Sequence, residues 1–192
     1  MVKIALVLLL GIIVLFIIEQ RRAHDEVGEV LSAYLSDEIQ HDVHDWGSGA
    51  GVHIILQREA QVPIKLRGRW AMLFDSQPRF PEAALATRVS FVVRNVFATH
   101  IQAELRLPKG VDSVVVNQSQ LKNDRPGNSL PRHFNNSFGY IAVSQPGFNS
   151  SKTEAIFYID HFCGLCGGGG YILMRKIDGV WRVADQHSTW VS

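Results

Sequence analysis

At 192 residues the chain is long enough for one domain with its own hydrophobic core once an end segment is set aside, and too short for two full domains. Its 19 Lys and Arg against 18 Asp and Glu leave a net charge of +1, which gives no field to gather nucleic acid or an acidic polymer and excludes that class of partner. The hydrophobic content of 46% is ordinary for a globular protein, but the apolar residues are densest at the N-terminus.

Ile4 to Ile18 reads IALVLLLGIIVLFII, without charge or strong helix breaker, preceded by Lys3 and closed by Glu19, Gln20, Arg21 and Arg22. The pattern predicts a membrane-seeking helix through residues 2–18 and a transmembrane signal anchor over 1–22. Fifteen residues rising about 1.5 Å each cover about 22 Å of a roughly 30 Å hydrocarbon layer, so Val2, a snorkelling Lys3 and local thinning must supply the rest. Ala23 has Arg21 where a second small residue belongs, which argues against cleavage, and no cysteine follows the run to carry a lipid.

Residues 23–192 are expected to form a single domain. From Glu26 to Asp45, Val27, Val30, Leu31, Tyr34, Leu35, Ile39 and Val43 recur at three and four and predict its first helix. Glycines at 47, 49 and 51 break that pattern, and Val52 to Gln57 reads as a strand. Pro63 to Pro81 carries mixed signals and no assignment. Pro81 suits a helix start, and Leu85, Val89, Val92, Val93 and Val96 favour a helix within Glu82 to Thr99, with a strand over Arg88 to Phe97 as the alternative. Val111 to Val116 reads as a strand, and Asn123 to Ser129 as a polar loop.

Strand-like runs follow at Phe138 to Ser144, Glu154 to Phe162, Tyr171 to Ile177 and Val180 to Val191, the last two joined by the turn-forming Asp178-Gly179. Helices first and a meander last predict an α+β fold, with helices on one face of an antiparallel sheet that ends in a C-terminal β-meander.

Gly147, Phe148 and Asn149, then Cys163, Cys166 and Gly167, then Tyr171 and Leu173, then Asp178, Gly179, Trp181, Val183, Trp190 and Ser192 spell GFN, CG-x-C-G, Y-x-L and DG-x-W-x-V followed by W-x-S. This ending, about a quarter of the chain, resembles a family of uncharacterised bacterial exported, membrane-anchored proteins. The resemblance implies an extracytoplasmic domain without a known reaction and supplies no catalytic residues. The last hairpin also resembles the closing strands of nuclear transport factor 2-like domains, which hold a pocket between sheet and helices. Two arginines after the apolar run against one lysine before it would leave the domain in the cytoplasm. The periplasmic placement, on the outer side of the inner membrane, rests instead on the cysteine pair and the resemblance.

Cys163 and Cys166 are the only cysteines and precede the glycine run 167–170. A thioredoxin-type motif needs its first cysteine at a helix N-terminus, and a glycine turn between strands stands here instead. In an oxidising compartment the plainer reading is a local disulfide that shapes the loop. Zinc held by both cysteines, His161 and a distant His187 is the alternative. His41 and His44 share a helix face but lack downstream ligands, and Asp160 and His161 read as solvent-facing residues at a strand end. Neither a nucleophile elbow nor a phosphate-binding loop occurs, and no cofactor is expected.

The leading expectation is a non-enzymatic, membrane-tethered binding or envelope-associated module. Its rivals are a small redox-active or metal-dependent enzyme using Cys163, Cys166 and His161, and a sheet-and-helix pocket for a small apolar ligand.

Overall fold

The computed structural model of the chain describes residues 25–38, 52–58, 60, 82–97, 100–101, 103–117, 119, 137–162 and 167–191. In chain order they form helix α1, described over 25–38, strand β1 (Val52–Gln57), helix α2 (Leu85–Phe97), and strands β2 (Val111–Val116), β3 (Ser137–Val143), β4 (Gly147–Phe148), β5 (Glu154–Phe162), β6 (Gly167–Ile177) and β7 (Val180–Val191). The strands make one seven-stranded sheet in the order β2-β1-β3-β5-β6-β7, with β4 beside β5.

The sheet is mixed. β1 runs parallel to both β2 and β3, whereas the pairs from β3–β5 through β5–β6 to β6–β7, and β4–β5, are antiparallel. Its central strands are covered on both faces, because Ile54, Ile55, Leu56 and Gln57 of β1 are buried in succession, as is β5 from Glu154 to Asp160. Unbroken burial of this kind marks a strand with a layer on each side, since successive side chains point to opposite faces.

The two helices are those layers. Val27, Leu31, Tyr34 and Leu35 of α1 pack with Ile54 and Leu56, Ile141 and Val143, and Ala155, Phe157 and Ile159 of β5. Phe91 and Val96 of α2 pack with Ile156 and Tyr158 of β5 and with Tyr171 and Leu173 of β6. Odd and even residues of β5 thus meet different helices, and α1 and α2 lie on opposite faces.

These findings correct the expected fold class. The antiparallel β5–β6–β7 run is only one half of a mixed sheet, and the helices flank it rather than share one face. No helix among the described residues is long and apolar enough to cross a membrane, so a transmembrane helix is withdrawn from the described fold. Residues 1–22, on which that expectation fell, lie outside the described residues. The disulfide expected of Cys163 and Cys166 is withdrawn as well: no disulfide occurs among the described residues, and residues 163–166 lie outside them.

β3 and β4 share one flank of β5 but are out of step. Val143 pairs with Ile159 and Gly147 with Ile156, so Ser144, Gln145 and Pro146 oppose only Phe157 and Tyr158. Such a bulge leaves backbone groups to be satisfied in other ways. Ser144 donates its N–H to the Tyr158 carbonyl at 2.8 Å, and its Oγ accepts the Tyr158 N–H at 2.7 Å. The fully buried Asn95 of α2 then replaces a strand partner: its Oδ1 accepts the Gln145 N–H at 2.8 Å, and its Nδ2 donates to the Gln145 carbonyl at 2.7 Å.

Glu154, at the start of β5, caps α2 from outside the helix. Its Oε1 accepts the Ala84 N–H at 2.8 Å and the Thr87 hydroxyl at 2.7 Å, and its Oε2 accepts Arg175 Nε at 3.2 Å. The first turn of α2 has no acidic residue of its own, so this carboxylate meets the Ala84 N–H just ahead of the helix and faces its positive end.

Burial acts to raise the Glu154 pKa, but the hydrogen bonds from Thr87, Ala84 and Arg175 and the Arg175 charge outweigh it, and the group is held below its ordinary 4.5. The folded protein therefore binds this proton more weakly than the unfolded chain. The stability gained is complete above the ordinary glutamate range and is lost as pH falls through the depressed folded value. Urea midpoints measured from neutral pH down to about pH 3 should decline less steeply in E154Q than in wild type, and parallel curves would contradict this.

Candidate functional site

The glycine run belongs to β6 rather than to a loop, and Gly168, Gly169 and Gly170 differ in what a side chain there would meet. None of them has a positive φ. A Cβ on Gly169 would run into Asp160 Oδ1 and Trp190 Nε1, and one on Gly170 would lie 2.5 Å from the His187 carbonyl oxygen. On Gly168 the nearest atom is the Trp190 carbonyl oxygen at 3.4 Å, so neither backbone conformation nor collision requires glycine there.

What Gly168 leaves is space on the α1 face. It pairs with His161 on β5 and Val191 on β7. An open cleft of about 190 Å³ lies between this end of the sheet and α1, lined among others by Tyr34, Leu35, Glu38, Ile159, His161 and Gly168. Ile141, Ile159 and Ile172 make an apolar floor, and Tyr34, Glu38, His161, Gln186 and Ser188 bring polar groups to it. Tyr34, Leu35 and Glu38 reach it together because spacings of three and four put them on one helix face.

On the opposite face Gly169 lets β5 and β7 touch across β6. Trp190 Nε1 donates to Asp160 Oδ1 at 2.7 Å, and the Tyr158 hydroxyl donates to the same oxygen at 2.9 Å. Tyr140 stacks on Phe162 with ring centroids 4.6 Å apart, and Phe162 meets Trp190 at 5.4 Å, forming an aromatic row beside the carboxylate. Burial, and after it the Asp160 charge, push the Tyr140 hydroxyl above the usual tyrosine range. Tyr158 is also raised, by burial foremost and by Asp160, against the Thr189 hydrogen bond.

Of the residues singled out by sequence, His161 lines the cleft, half-buried. Asp160 is fully buried on the other face, which corrects its expected solvent exposure: β5 is flanked by β3 and β6 and covered on both sides. His187 pairs with Tyr171 and so falls on the α2 face, whereas His161, paired with Gly168, falls on the α1 face. The register puts the two histidines of the zinc alternative on opposite faces of the sheet, although both are among the residues that line the cleft. Among the described residues no group of three or more His, Cys, Asp or Glu could hold a metal ion. Cys163, Cys166, His41 and His44 lie outside the described residues.

Sequence reasoning missed Tyr34, Glu38 and Gly168 as a set. Strand length held a signal for the glycine: Val180 to Val191 is a long strand behind a tight Asp-Gly turn, and its hairpin partner must reach back into the glycines. No protein-family model matches this chain, and no curated protein or solved structure matches it either.

Proposed function

We propose that this chain is a non-enzymatic binding domain that takes a small ligand in the cleft between α1 and the glycine end of β6. The observation that carries this reading is Gly168, a glycine without a conformational or steric need, whose missing side chain leaves the cleft open. An engineered cavity of about 150 Å³ admits benzene, so a cleft of about 190 Å³ suits a single ring with one or two further atoms. The isoleucine floor offers an apolar body its contacts, and Tyr34, Glu38, His161, Gln186 and Ser188 bring polar groups that can orient it.

The place of His161 in the cleft favours a second reading, a small redox-active or metal-dependent enzyme that would draw on Cys163 and Cys166 nearby in sequence. Stoichiometric zinc or reactive low-pKa thiols in the purified protein would support it over the binding domain.

The binding reading is tested by titrating the full-length, methyl-labelled chain with benzyl alcohol and following methyl resonances. Ile141, Ile159 and Ile172 should shift, while Ile156 and Leu173 on the α2 face should not. Shifts confined to the exposed Leu85, Val89 and Val93 of α2, or none at all, would contradict it.

A further inference from the structure

We propose that the outer side of α2 is a docking surface for an amphipathic helix of another protein, one that carries carboxylates beside its own apolar row. Two rows of side chains run along α2 at four-residue spacing. Thr87, Phe91 and Asn95 are 0%, 2% and 0% exposed and seat the helix on the sheet. Leu85, Val89 and Val93 are 68%, 53% and 46% exposed. The rows are offset by two residues, about 200° around the axis at 3.6 residues per turn, so the second points away from the sheet. A helix on the surface of a domain ordinarily carries polar residues on that side. Here branched aliphatic side chains stand there in a line and contribute nothing to the core.

The charges of α2 are of one sign. Arg88 and Arg94 are its only charged residues, and they lie on opposite flanks of the exposed row. Arg94 is turned back to the domain: its Nη2 donates to Gln145 Oε1 at 3.3 Å, and its guanidinium lies 5.5 Å from the centre of the Phe148 ring. Arg88 is not. Its Nε is buried without a hydrogen-bond partner, and no carboxylate among the described residues pairs with it. A buried donor left unmet is costly, and a carboxylate brought by a partner would satisfy it with a charge-assisted bond.

A straight row at four-residue spacing is the complement of the same ridge on a second helix. A second copy of α2 is a poor occupant, because it has no acid to offer, and antiparallel pairing about Val89 would set Arg88 close to its counterpart. A membrane surface is a poor occupant as well: anionic lipid is gathered by clusters of about four to eight basic residues, and one unpaired arginine falls short.

Synthetic amphipathic helices with one leucine row test this on the full-length, methyl-labelled chain, the residues flanking the row being all glutamate, all glutamine or all lysine. The glutamate peptide should shift the methyl resonances of Leu85, Val89 and Val93 and leave Ile141 and Ile172 unchanged. It should bind about tenfold more tightly than the glutamine peptide, the gain of one charge-assisted contact, and the lysine peptide should bind most weakly. R88Q should remove that preference. V89D, at an exposed position, should abolish binding of the glutamate and glutamine peptides alike while the urea midpoint stays near wild type.

Absence of shifts at the α2 methyls with the glutamate peptide, a preference that survives R88Q, or binding that survives V89D would overturn the proposal. So would shifts of the same methyls on adding phosphatidylserine vesicles alone, or self-association in sedimentation that V89D removes, since these would assign the row to lipid or to a second copy.

Discussion

Replacing Gly147 with alanine should lower the unfolding free energy by about 3 kcal/mol and the melting temperature by roughly 6 to 12 °C. A Cβ at this position would fall onto the backbone N and Cα of Phe91 in α2, atoms that cannot move without shifting the helix. The helix is held there from several sides. Asn95, four residues on, is bonded to Gln145, and Ser90 Oγ accepts the Phe148 N–H at 3.1 Å. Moving α2 away would strain those bonds and part Phe91 from Tyr171, whose ring centroids lie 5.9 Å apart. Urea unfolding should show a lower midpoint with an unchanged slope, and a midpoint equal to wild type would show that α2 does not approach β4 this closely.

Gly169→Ala should cost a similar amount, about 3 kcal/mol, by a different route. The added methyl would enter the gap where Trp190 Nε1 meets Asp160 Oδ1, and would part a buried carboxylate from one of its donors. A hydrogen bond to a charged group contributes about 1.5 to 3 kcal/mol, and a buried carboxylate left short of donors costs more than the same group in water. Trp190 should also report the change through its fluorescence, since its indole N–H would lose that acceptor. Gly168→Ala, one residue earlier, serves as the control and should change stability by less than about 1 kcal/mol. If the two substitutions cost the same, the bridge across β6 does not exist in solution.

How much of this was legible in the sequence depends on which physical signal each element carries. Glu154 to Phe162 reads as a strand because apolar and aromatic residues crowd it, and Leu85 to Phe97 reads as a helix because its valines recur at helical spacing despite their β-branching. Partner choice leaves no such trace: nothing in VHIILQ says that β1 runs parallel to β2 and β3, although its unbroken apolar run is the mark of a strand buried on both faces. The expectation of helices on a single face came from element order, helices first and a meander last, which does not say which face each helix takes.

The glycine run misled by propensity. Glycine is disfavoured within strands, so Gly167 to Gly170 was expected to be a loop, yet β5 and β7 extend far enough to pair with it on both sides. Asp160 misled in the same manner, because a charged residue near a strand end is usually wet, while here Trp190 and Tyr158, distant in the chain or on the same strand, supply donors that no local pattern announces. The candidate site was the least legible part. Glu38, His161 and Gly168 become neighbours only through the register of β5 with β6 and the seating of α1, and neither is written in any short motif.

The central claim, that the space left by Gly168 is a ligand site, is tested most directly by Gly168→Val. Its backbone allows a side chain and the branched methyls would project into the cleft, so the variant should fold with stability close to wild type. Benzyl alcohol binding, measured by calorimetry on the full-length chain, should then be lost. A folded Gly168→Val protein that binds benzyl alcohol as tightly as wild type would contradict the claim.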